Sequence, residues 1–90
     1  MVKQKDNPSS IQKDDSTIQR GLILYNDDVN TFDFVIDSLM EVCSHEHEQA
    51  EQCAIITHLK GKCNVKSGDY YQLKPMFDEM CLRGLTVSID

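Results

Sequence analysis

Two short stretches and one isolated histidine carry most of the chemistry available to this sequence. Asn26-Asp27-Asp28 places a carboxamide and two carboxylates in succession, Cys43-x-His45-x-His47 gathers three soft donors, and His58 stands apart from both. Ionised carboxylates and an amide carbonyl are acceptors, so the guest of Asn26-Asp27-Asp28 would be a cation or a donor-rich group rather than a phosphate. The competing reading is a turn in which Asn and Asp side chains bond their own backbone. Cys43-x-His45-x-His47 lacks the second half of any standard zinc spacing, so no metal is expected. A single histidine such as His58 on a half-apolar helix is ordinarily a packed, hydrogen-bonded one. No nucleophile sits at motif-like spacing from these groups, which disfavours a hydrolase, and the chain is read as a non-enzyme.

The elements that must position these residues follow from periodicity. Gly21 to Tyr25 is a short apolar run of strand length, stopped by Asn26-Asp27-Asp28. From Phe32 the apolar positions Phe32, Val35, Ile36, Leu39, Val42 and Cys43 have the i, i+3, i+4, i+7 spacing of one helix face. Asn30 or Thr31 caps that helix and Asp33 lies in its first turn. Ser44 is the expected N-cap of a second helix over Glu46–Leu59, with Gly61 just past its end. Its core face carries Ala50, Cys53, Ala54, Thr57 and His58, and Ile55, Ile56 and Leu59 also ask for cover, so packing on two sides is expected. Cys63 and Val65 alternate with Lys62, Asn64 and Lys66 as a half-buried strand, closed by Ser67-Gly68-Asp69. Leu73, Met76, Phe77 and Met80 predict a third helix ending at Gly84, with Pro75 either starting it or bending a first turn over Tyr70–Lys74. Leu85, Val87 and Ile89 alternate as a final strand. The order β-α-α-β-α-β with three strands predicts an α+β fold, an antiparallel or mixed sheet covered by helices.

Ninety residues allow one small domain. Residues 1–19 are polar and charge-balanced, and are read as a flexible extension before a core at 20–90. All of the net charge of −6 therefore lies in the core, with no basic cluster, which argues against a nucleic-acid partner. No run approaches 18 consecutive apolar residues, so no membrane span is expected. No signal peptide precedes the four cysteines, which read as reduced residues of a cytoplasmic protein.

Taken together and in order, the strand ending in Asn26-Asp27-Asp28, the Phe34-Val35 step, Ala50 and His58-x-x-Gly61-Lys62 resemble the ClpS family of adaptors. The resemblance covers residues 20–66 well and 69–90 loosely. It implies the ClpS fold, a small α/β sandwich, and no catalysis or cofactor. It implies an adaptor that recognises destabilising N-terminal residues, the N-degrons Leu, Phe, Tyr and Trp, and hands substrates to a Clp AAA+ unfoldase of the ClpA or ClpC type. The alternative is a ribosomal-stalk-like interaction domain, which keeps the fold but leaves Asn26, Asp27 and His58 without a role.

Carried over residue by residue, the resemblance assigns the substrate α-amino group to Asn26, Asp27 and His58, with Asp28 beside them. The chemistry is consistent: an α-amine with a pKa of about 8 is mostly an ammonium with three donors at neutral pH. Acetylating it would leave the acceptors unpaired, a loss of roughly 2–5 kcal/mol. The implied side-chain pocket is Phe32, Val35, Ala54, Thr57 and Leu85, and filling it with Phe or Leu would contribute roughly 1.5–3 kcal/mol.

The sequence departs from the family pattern in three places. Asn30-Thr31-Phe32 stands where many members have Thr, then Pro or Thr, then Met, and Ala54 replaces a bulky gate methionine, which implies a pocket wider at that wall unless Phe32 refills it. The stretch after Cys63 is shortened, so the unfoldase-docking residues, carried over as Asp69 and Lys74, rest on the loosest part of the match.

Overall fold

The computed structural model describes residues 18–90; apart from Ile18 and Gln19, the expected N-terminal extension lies outside the described residues. Three strands and three helices follow in the predicted order: β1 Arg20–Tyr25, α1 Phe32–Cys43, α2 His47–Lys60, β2 Lys62–Gly68, α3 Tyr70–Leu82 and β3 Thr86–Ile89. β1 is the central strand, antiparallel to both β2 and β3.

Alternation along β1 sends Leu22 and Leu24 into the core, where they are essentially inaccessible together with Leu39, Leu73 and Met80. Ile36, Cys43, Ala50, Ala54, Val65 and Leu85 complete the same cluster, so one core joins every helix to the sheet. The β1–β2 register slips between Leu22 and Ile23, which pair with Lys66 and Asn64 and leave Val65 as the extra residue of a bulge. Its carbonyl is not orphaned: the buried His45 ring meets it through Nε2 at 2.6 Å. His45 is thus a structural residue of the bulge.

Helix boundaries differ from expectation where one side chain has two possible uses. Thr31 is the N-cap of α1, its hydroxyl accepting from the Phe34 N–H at 3.1 Å. Asn30 cannot serve there, because its carboxamide is engaged elsewhere. Ser44 does not cap α2; it ends α1 in the left-handed region at φ 60°, and the N-cap of α2 is Glu46, without a side-chain cap bond. α2 packs on both α1 and β2, yet Leu59 stays 75% exposed and Ile56 39%. The cover expected for these two is not supplied.

α3 runs unbroken through Pro75, so the helix begins at Tyr70 and not at the proline. The ring denies the Tyr71 carbonyl its intrahelical donor, but the exposed position leaves that carbonyl to water. A reciprocal capping box offsets part of the loss: Asp69 Oδ1 accepts from the Gln72 N–H, and Gln72 Oε1 accepts from the Asp69 N–H.

Candidate functional site

The corner at the end of β1 is tied to the end of α2 by backbone. Gly61, left-handed at φ 93°, turns the chain from α2 into β2, and its carbonyl accepts from the Asn26 N–H at 2.9 Å. The Tyr25–Lys62 pairing continues this contact into the sheet. Residues 26 and 58, far apart in sequence, thereby reach opposite sides of one opening.

That opening is a cavity of about 370 Å³. Its polar margin is Asn26, Asp27, Asp28, Asn30 and His58; its apolar wall is Leu24, Phe32, Val35 and Ala54, with Thr57 and Tyr25 completing the lining. Leu24, Ala54 and Thr57 are buried, Val35 is half-buried, and Phe32 is 42% exposed at the edge. The volume falls at the lower end of the range for small-ligand clefts, enough for one side chain and not much more.

The two carboxylates behave differently. Asp27 Oδ1 accepts from the backbone N–H groups of Val29 (2.9 Å) and Asn30 (2.8 Å), and Oδ2 accepts from Asn30 Nδ2 (2.8 Å). The Asn30 backbone N–H, helped by its carboxamide and by Val29, holds the Asp27 carboxyl below its ordinary value, against burial that acts the other way. Asp27 therefore builds the loop, as the turn reading expects, and keeps limited acceptor capacity on Oδ2. Asp28 is exposed at the cavity margin, with its carboxylate open to solvent and to any ligand.

Of the residues expected to converge, the cavity gathers Asn26, Asp27, Asp28, Phe32, Val35, Ala54, Thr57 and His58. His58 differs from its expected place on the core face: it is exposed, which leaves its ring free to meet a ligand. Leu85 does not line the cavity. It follows the turn glycine Gly84, donates its N–H to the Met80 carbonyl at 3.0 Å and buries its side chain in the common core. Leu24, Tyr25 and Asn30 are the lining residues that pattern reading missed. Period-2 alternation places Leu24 on the same side as Asn26 and could have found it; nothing comparable marks Tyr25, whose hydroxyl bonds Ser88 Oγ at 3.0 Å.

Neither Asp69 nor Lys74 lines the cavity. Asp69 caps α3, and Lys74 pairs with Asp78 while lying 5.5 Å over the Phe77 ring centre. Cys43-x-His45-x-His47 is dispersed, with Cys43 in the core, His45 on the bulge and His47 exposed at the start of α2; no metal-binding cluster forms among the described residues. A second hollow of about 310 Å³ lies between α1 and α3, but its Arg83 already bridges Glu41 and Glu79.

Residues 18–86 match the model of the ATP-dependent Clp protease adaptor protein ClpS. This chain belongs to the ClpS family. Among solved structures, Agrobacterium tumefaciens ClpS2 bound to L-phenylalaninamide is similar at a TM-score of 0.69, with 18% identity over 83% of this chain and 96% of that one. At that identity the likeness speaks for the fold, the ClpS arrangement of a three-stranded antiparallel sheet and three helices. ClpS proteins are Clp protease adaptors and not proteases themselves. Among the described residues no helix is long and apolar enough to cross a membrane.

Proposed function

We propose that this ClpS protein binds the first residue of substrate chains beginning with Leu, Phe, Tyr or Trp and delivers them to a cytoplasmic Clp AAA+ unfoldase of the ClpA or ClpC type. The observation that carries the reading is one cavity with an acceptor-rich margin and an apolar interior. An α-ammonium has three donors; Asn26 Oδ1, the open Asp28 carboxylate and an acceptor nitrogen of the His58 ring would take them, with the Asp27 loop setting their positions. The side chain would enter between Val35, Ala54 and Phe32. L-Phenylalaninamide, the ligand of the similar Agrobacterium protein, joins the same two features, a free α-amine and a benzyl group. Asp69, the N-cap of α3, and Lys74 in its second turn, both away from the cavity, remain the proposed part of the unfoldase-docking surface.

The test is fluorescence anisotropy with a labelled peptide beginning with Phe, the same peptide N-acetylated, and one beginning with Ser. Micromolar or tighter binding of the free Phe peptide alone is expected, abolished in folded Asn26→Ala and His58→Ala proteins. Equal binding of the acetylated peptide would sink the reading. Delivery is tested separately, by degradation of a Phe-initiated reporter with purified ClpA or ClpC and protease, with and without Asp69→Ala and Lys74→Ala.

A further inference from the structure

Among the side chains that would surround a bound first residue, Thr57 is chemically out of place. Leu24, Val35 and Ala54 line the cavity with all-carbon side chains, whereas Thr57, buried like Leu24 and Ala54, carries a hydroxyl. That hydroxyl already donates its only proton to the Cys53 carbonyl one turn back, at 2.7 Å. What remains on Oγ1 is acceptor capacity with no donor among the hydrogen bonds of the described residues. A valine would have nearly the same shape and no such capacity. An apolar guest would strip water from these lone pairs and return nothing, while a guest bearing a donor would satisfy them.

We infer that Thr57 is a specificity-determining residue that favours first residues whose ring carries a hydrogen-bond donor, the phenol of Tyr and the indole of Trp, over Phe and Leu. The inference rests on the adaptor reading above and extends it from the size of the guest to its chemistry. Trp Nε1–H and Tyr O–H are each donors, and Phe differs from Tyr by that one group.

The experiment is a two-by-two comparison of peptides beginning with Tyr or Phe against wild-type and Thr57→Val protein. Each change deletes one hydroxyl from one partner, so the ratio of ratios isolates their contact. Wild-type protein should favour Tyr over Phe, and Thr57→Val should erase about 2- to 10-fold of that preference while Phe binds equally or more tightly. Thr57→Ser, which keeps the oxygen, should keep the preference and guards against a variant that merely loosens α2. An identical Tyr-to-Phe ratio in all three proteins would mean that the Thr57 methyl faces the guest, and would overturn the inference. Amine-dependent binding with an unchanged ratio rejects Thr57 alone; binding that ignores N-acetylation rejects the adaptor reading and the inference with it.

Discussion

The carboxamide of Asn30 donates to the carbonyl of Gly84 at 3.0 Å, joining the loop after β1 to the turn before β3. The same nitrogen donates to Asp27 Oδ2 at 2.8 Å, so one side chain fixes both the acidic loop and its position against the turn before β3. Gly84 takes φ 82° there, a conformation that presents its carbonyl at low cost only because it has no Cβ.

Replacing Asn30 should therefore loosen the candidate site as well as the fold. Two bonds are lost in Asn30→Ala, one of them to a charged group, and partial exposure keeps the cost to about 1–2 kcal/mol. For a domain of this size that is a fall in melting temperature of roughly 4–16 °C. Asn30→Asp should be worse at neutral pH, because it sets a carboxylate against Asp27 and an acceptor against the Gly84 carbonyl, and should recover as acid protonates it. Equal melting of the Ala and Asp variants at pH 7 would remove the bridge from the account.

Asp27 sets the direction of the acid response. Its folded-state pKa lies below the ordinary 3.8, chiefly through the Asn30 N–H, so its stabilising contribution is complete above that value and lost as pH falls through the folded-state pKa. Urea midpoints of wild-type and Asp27→Asn protein, measured from pH 7 to pH 2, should differ by a constant amount down to about pH 5 and then converge. A gap that widened in acid would reverse the assignment.

The sequence was most informative where one pattern decided one element. Leu22 and Leu24 alternate, Leu39 and Leu73 recur at helical spacing, and these sites form the core as read. It was least informative where a residue could serve two neighbours. Ser44 suits the start of α2 and the end of α1 equally well in composition, and tertiary packing gave it to α1. Alternation extends the last strand back to Leu85, but β3 begins at Thr86, after the turn at Gly84; the place of Leu85 in the pocket came from the family resemblance alone, and the chain uses its side chain in the core. The bulge at Val65 and its use of His45 have no periodic signature; they became visible only once the β1–β2 register was known.

The thiols should separate by reactivity. Burial, reinforced by Cys63 and then Cys43 nearby, pushes the Cys53 thiol up to about 12, and burial also raises Cys43. Cys81 is exposed on α3. Iodoacetamide at pH 8 should label Cys81 first, Cys63 more slowly, and Cys43 and Cys53 only on unfolding, as followed by peptide mass spectrometry. Because a raised thiol pKa favours the folded protein below the ordinary 9.0 and ceases to do so as pH climbs toward 12, stability should decline on the alkaline side. Early labelling of the half-buried Cys53 in the folded protein would contradict its raised pKa.

Ala54 offers the most direct test of how the cavity selects its guest. Its single methyl forms part of the buried wall, and Phe32, 42% exposed, stands at the edge of the same cavity. Ala54→Met adds a flexible side chain that can fold into the cavity without forcing the helices apart. A branched guest, bulky close to its backbone, would meet that chain sooner than a flat ring would. Peptides beginning with Ile should therefore bind wild-type protein about tenfold better than the variant, roughly 1.4 kcal/mol, with a smaller loss for Phe. If Ile-initiated peptides bind both proteins alike, the wall at residue 54 does not limit the guest, and the limit must be sought at Val35 and Phe32.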